Sequence, residues 1–97
     1  MAHNAEQAET LLKLMANKNR LMILCRLQQG ELSVSELNDL VPLAQSALSQ
    51  HLASLRKAEI VSTRREGQTI YYRVTDPRVA LLLEGLYRVF CEQGSET

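Results

Sequence analysis

The segment from Ile60 to Val74 breaks the pattern of everything around it. On either side, leucines and alanines recur at the spacing of helical faces. Within it, β-branched residues and tyrosines gather in two short runs, Ile60 to Arg65 and Thr69 to Val74. Runs of that length and content predict strands. Glu66-Gly67-Gln68 lies between them and supplies the glycine that a tight hairpin needs. A lone hairpin is barely stable in water, so this one must lie against helices. The chain is thereby confined to a mainly α fold with a small β-hairpin, in the order α-α-α-α-β-β-α. With 97 residues it is expected to form one domain, residues 1–97.

Caps and spacing divide the helical part. A first helix is predicted over about Ala5 to Met15, with Leu11, Leu12 and Met15 on one face. Asn17 or Asn19 opens a second through Arg26 and Leu27, ended by Gly30. Ser33-Val34-Ser35-Glu36 is a capping box that starts a third through Leu37 and Leu40, closed by Pro42. A fourth runs from about Ala44 to Ala58. One side of it carries Ala44, Leu48, Leu52 and Leu55, and the other Ser46, Ser49, Gln50, Ala53 and Lys57. Asp76-Pro77 begins a last helix that is expected to reach about Glu92 and is apolar nearly all round. A helix without a wet face is buried. In so short a chain the natural cover is a second copy, joined through about residues 5–16 and 77–92. Packing within one subunit is the alternative.

The formal net charge is zero, so the total does not mark a nucleic-acid binder. The charge is segregated, however. Lys13, Lys18, Arg20 and Arg26 share a stretch without an acid, and Arg56, Lys57, Arg64, Arg65 and Arg73 outnumber Glu59 and Glu66. Two short helices, a tight connection and a basic hairpin predict a winged helix-turn-helix that binds double-stranded DNA. The major groove only just admits a helix, and short side chains such as Ser46 and Ser49 allow close approach. Gln45 and Gln50 offer donor and acceptor to base edges. Lys57, Arg64, Arg65 and Gln68 at the hairpin and helix end would meet phosphate or the minor groove. His51, beside the buried side, is a packing or phosphate-contacting residue. A pair of such helices about 34–36 Å apart matches a near-palindromic operator.

Other classes fit less well. There is no nucleophile–base–carboxylate set and no glycine-rich phosphate loop, so neither an enzyme nor a cofactor is expected. Met1 to Thr10 is polar, without the apolar core of a signal peptide, and no apolar run approaches a membrane span. A cytoplasmic location follows as an expectation. The two cysteines, Cys25 and Cys91, are too few for a disulfide scaffold and too far apart for a CxxC zinc site.

Ala47-Leu48-Ser49-Gln50-His51-Leu52, then Leu55 to Val61, then Arg64-Arg65-Glu66-Gly67 and Tyr71-Tyr72 resemble the ArsR/SmtB family of dimeric bacterial repressors. The resemblance runs from about Ala8 to Cys91. It implies a symmetric dimer through the first and last helices and ligand-linked release of operator DNA. Members that sense soft metals often carry two cysteines at the start of the third helix, where this chain has Ser33 and Ser35. Hydroxyls are poor ligands for such metals. The last helix also lacks histidine, so no metal site is expected.

Cys25 and Cys91 match the cysteine placement of the persulfide-sensing SqrR/BigR branch. That likeness implies reactive sulfur species as inducer, a polysulfide bridge within one subunit, and weaker operator binding by a repressor. Glu31 to Val34 and Gln45 to Leu52 are also similar to the HlyU-like group, which implies an antisilencer or derepressor instead. Peroxide or another thiol oxidant is a further option. The chemistry needs one thiolate to attack and a second thiol to resolve. Lys18, Arg20 and Arg26 stand close to Cys25 in sequence and would favour its thiolate where they point at it. Tyr87, one turn before Cys91, would wall the site or serve as core. Taken alone, Cys25 within Leu21-Met22-Ile23-Leu24 fits an ordinary buried thiol.

Overall fold

The computed structural model describes residues 2–92, so Met1 and residues 93–97 of the expected domain lie outside it. Helix α1 spans Ala2–Met15 and buries Leu11 and Met15, four apart on one face. Helix α2 spans Lys18–Gln28. Asn17 is its cap: the side-chain oxygen accepts the N–H groups of Asn19 and Arg20 at 2.9 and 3.1 Å. Ile23, Leu24 and Leu27 turn inward from α2.

The predicted capping box is complete. Ser33 Oγ accepts the Glu36 N–H at 3.1 Å, and Glu36 Oε1 accepts the Ser33 N–H at 2.9 Å. It opens α3, Val34–Leu40. After Val41 to Ala44 comes α4, Gln45–Lys57, whose Leu48, Leu52 and Leu55 are completely enclosed. Asn38 donates its side-chain amide to the Leu43 carbonyl at 2.8 Å and fixes the turn between the two helices.

The sheet departs from the sequence expectation. Leu32–Ser33, of which Ser33 is expected only as part of a helix cap, form a short strand, β1. With β2 (Val61–Glu66) and β3 (Thr69–Val74) it makes a three-stranded antiparallel sheet in the order β1-β3-β2. Leu32 lies opposite Tyr72 and Ser33 opposite Tyr71. Val61 to Glu66 pair in register with Val74 to Thr69. Gly67 begins the two-residue loop at φ 62°, where a tight hairpin favours glycine.

Helix α5, Pro77–Tyr87, starts as expected. Asp76 accepts the Arg78 N–H at 2.9 Å and pairs with the Arg78 guanidinium, which holds the carboxyl below its ordinary range. The α-helix does not continue to Glu92, because Arg88–Glu92 widen into a π-helical turn. Val79 and Leu83 reach the core from α5. Leu81, Val89 and Phe90 are left 69, 56 and 73% exposed.

Between α4 and β2 the chain reverses through a Schellman motif. The Ile60 N–H reaches the Leu55 carbonyl at 3.0 Å, and the Glu59 N–H reaches that of Arg56 at 2.9 Å. Leu55 and Ile60 are both buried beneath it. The geometry places Glu59 at φ 61°, a left-handed position that favours glycine. Glu59→Gly is therefore expected to stabilise the fold by about 1 kcal/mol, partly offset by the freer unfolded chain. Urea denaturation measures this, and a loss of stability would contradict it.

Candidate nucleic-acid interface and thiol groove

The inward stripe of α4 dictates what its other side presents. Gln45, Ser46, Ser49, Gln50, Ala53 and Lys57 are all exposed. Arg56 and Lys57 sit in the last turn, where the carbonyl end of the helix favours cations. Between α4 and the sheet runs an open cleft of about 420 Å³, lined by Ser49, Ala53, Arg56, Lys57 and Tyr72 among others. Arg56 and Tyr72 were not among the expected site residues. The basic end of α4 signalled Arg56, whereas the closeness of Tyr72 follows only from packing the sheet against the helix.

The two wing arginines differ. Arg64 Nε donates to both carboxylate oxygens of Glu31 at 2.9 Å, and Nη2 lies 2.8 Å from Oε1. Its Nη1 donates to Glu66 at 2.6 Å, and the guanidinium lies 4.7 Å from the centre of the Tyr71 ring. Hydrogen bonding from Arg64 lowers the Glu31 pKa, and the two carboxylates raise that of Arg64. Exposed pairs contribute little stability. This one instead occupies the donors expected to meet phosphate and ties the root of the wing to the end of α2. Arg65, next along the strand and on its other face, and Gln68 in the loop are exposed. Arg65 has no ion pair among the described residues.

His51 is half-buried on α4, and its Nδ1 accepts from Arg20 Nε at 3.3 Å. Arg20 thus faces the recognition-helix candidate and not Cys25. Of the cations expected to favour the Cys25 thiolate, Arg26 does so, and burial and Cys91 outweigh it. Desolvation, followed by the charge of Cys91, raises the thiol.

Cys25 and Cys91 are free thiols, each exposed, and both line one apolar groove of about 660 Å³ between α2 and the last helical segment. Leu21, Leu83, Leu86, Tyr87 and Phe90 complete its apolar wall. Among the described residues, no group of three or more His, Cys, Asp or Glu side chains is placed to hold a metal ion. No helix there is long and apolar enough to cross a membrane.

A short helix pair with a polar outer face, flanked by a β wing, defines a winged helix-turn-helix DNA-binding protein. Residues 17–63 match the model of the "bacterial regulatory protein, arsR family". Over 92 residues the chain is 49% identical to the transcriptional activator HlyU of Vibrio cholerae, covering 95% of this chain and 85% of that protein. It is 46% identical over 91 residues to the biofilm growth-associated repressor of Agrobacterium fabrum, covering 94% and 78%. The solved structure of reduced HlyU from V. cholerae aligns with TM-score 0.89 over 94% of this chain and 96% of that one. The repressor BigR from Xylella fastidiosa aligns with TM-score 0.88 at 42% identity, over 94% and 93%. The chain belongs to the ArsR family of transcriptional regulators, which act by binding DNA and not by catalysis.

Two measurements follow. Lys57→Ala and Arg65→Ala are each expected to weaken binding to every duplex and to lower the salt slope by about one. Arg64→Ala should alter the slope less, because its donors are already engaged by carboxylates. A full unit lost in Arg64→Ala would show that this lock opens on DNA. Separately, a raised Cys25 thiol is under-ionised at neutral pH. In a Cys91→Ser background, its alkylation by iodoacetamide should be slower than that of a free cysteine and still climb above the ordinary thiol pKa of about 8.5. Adding Arg26→Ala should slow it further, and a faster reaction would contradict the charge assignment.

Proposed function

We propose that this regulator is a cytoplasmic homodimer that represses by holding a near-palindromic operator, and that persulfide loosens its grip. Gln45, Ser46, Ser49 and Gln50 face base edges, while Lys57, Arg65 and Gln68 meet the backbone. Arg64 and His51 orient the wing and the helix. Dimerisation through about residues 5–16 and 77–92 would cover Leu81, Val89 and Phe90, whose exposure costs a lone subunit its most favourable burial.

The observation that carries the sensing role is the groove shared by Cys25 and Cys91, with apolar walls and two free thiols from different helices. Each thiolate takes the sulfane sulfur of an organic persulfide and releases the parent thiolate. One resulting perthiolate then attacks the inner sulfur of the other cysteine and expels hydrosulfide. The product is a three-sulfur bridge, the sulfane sulfur being the oxidant and leaving as sulfide. The bridge ties α2 to the segment after α5. A coupling of about 1–3 kcal/mol, or about 5–150-fold in affinity, is enough to switch an operator.

Identity to a protein named a transcriptional activator supports a second reading, in which the same DNA binding raises promoter output. Deleting the gene and measuring transcripts from its neighbours separates the two, since a repressor's targets rise. Persulfide treatment of the wild-type dimer should weaken operator binding within that range, with intact mass showing one added sulfur and both thiols lost. Cys25→Ser and Cys91→Ser should keep their affinity after treatment. Unchanged wild-type affinity alongside the mass gain would sink the switch.

A further inference from the structure

We propose that Arg20 is the positioning residue that fixes the recognition helix, acting through His51. This rests on α4 being the DNA-facing helix. Arg20 lies on α2, and its planar fork reaches two other helices. Nη1 donates to the Leu14 carbonyl at 3.2 Å, and Nε donates to His51 Nδ1 at 3.3 Å. Leu14 is the penultimate residue of α1, so its carbonyl has no partner within its own helix. The guanidinium therefore satisfies a carbonyl at the end of α1 while holding a side chain in the middle of α4. All three groups are half-buried, which favours a fixed geometry over exchange with water.

The contact also sets the state of the imidazole. A nitrogen that accepts cannot carry hydrogen, so a neutral His51 bears its proton on Nε2. Neither α4's propensity nor its apolar stripe provides this restraint. Leu48, Leu52 and Leu55 set which face of the helix turns inward, but apolar contact is non-directional and a polar contact at the side adds a directional restraint. The contact from Arg20 comes from beside that stripe and opposes rotation of the helix about its axis. Lysine cannot replace arginine here, because one ammonium does not span both acceptors as a planar fork does.

The test uses the reduced full chain and a labelled duplex from the region upstream of its own gene. Arg20→Gln and His51→Leu should each weaken binding about tenfold, and the double variant should likewise lose about tenfold in total, because both remove the shared Arg20–His51 contact. Losses that multiply to about a hundredfold, or a single variant that binds like wild type, overturn the proposal. Arg20→Gln endangers the fold more, so a second pair decides on His51 alone. Asparagine can place an acceptor near the position of Nδ1 and glutamine near that of Nε2. His51→Asn should therefore stay within about twofold of wild type while His51→Gln falls with His51→Leu. The reverse order, or equal losses, means that His51 acts on DNA by itself and overturns the tether. The Nδ1 chemical shift of the neutral imidazole should report a hydrogen-bonded acceptor in wild type and move toward the free-imidazole value in Arg20→Gln; an Nδ1 shift unmoved by the substitution also overturns it. Should wild type ignore the duplex, or Gln50→Ala and Lys57→Ala bind it undiminished, the DNA-facing role of α4 fails first, and this proposal with it.

Discussion

The inward stripe of α4 is the constraint on which everything else rests. Leu48, Leu52 and Leu55 are sealed against residues such as Ile23, Leu24, Leu37 and Ile60 in a single core. Each further residue turns the helix by about 100°, so fixing three positions fixes all the others. Ser46, Ser49, Gln50 and Lys57 face outward because the leucines face inward. A one-residue slip would bury serine and expose leucine. The hydrophobic effect, which has no direction of its own, thus aims a polar surface with the precision of the helical repeat.

The same core directs the wing. Leu55 and Ile60 close the end of α4 from beneath, and the reversal at Glu59 feeds Val61 directly into the sheet. The hairpin then leaves the core with its burial falling along β2, from enclosed Val61 to exposed Arg64 and Arg65. Its root is held by β1 on one side and by the Arg64–Glu31 pair near the end of α2. At the tip, Gly67 and Gln68 make no ion pair among the described residues, while Glu66 beside them is tied back to Arg64.

What the sequence made legible was local. Asn17, the Ser33–Glu36 box and Asp76 bond to backbone within three residues, so their type and spacing suffice. The hairpin register follows from its short loop. The features that escaped depend on groups far apart in the chain. The Arg64–Glu31 pair joins positions 33 apart and the Arg20–His51 contact joins positions 31 apart. No periodicity encodes which of several arginines makes them. Strand β1 was hidden because two residues carry no alternation, and it exists only where Tyr71 and Tyr72 offer free backbone groups. The break after Tyr87 escaped because Arg88 to Glu92 contain neither Pro nor Gly to announce it.

Helix α2 has two proposed roles, one in sensing and one in positioning, and their proximity matters. One side carries Cys25 into the thiol groove, and five residues earlier Arg20 holds His51. Cys25 and Arg20 share one helix, so the proposed bridge would act on the same rigid element that holds His51. The required energy is small. A hydrogen bond of this kind contributes about 1 kcal/mol, or 1.5–3 where a charge is involved. Weakening one such contact in each subunit of the proposed dimer would be of the same order as the coupling needed to empty an operator. No large rearrangement of the core is therefore required: Leu48, Leu52 and Leu55 can stay where they are while the helix that carries them loses its lateral restraint.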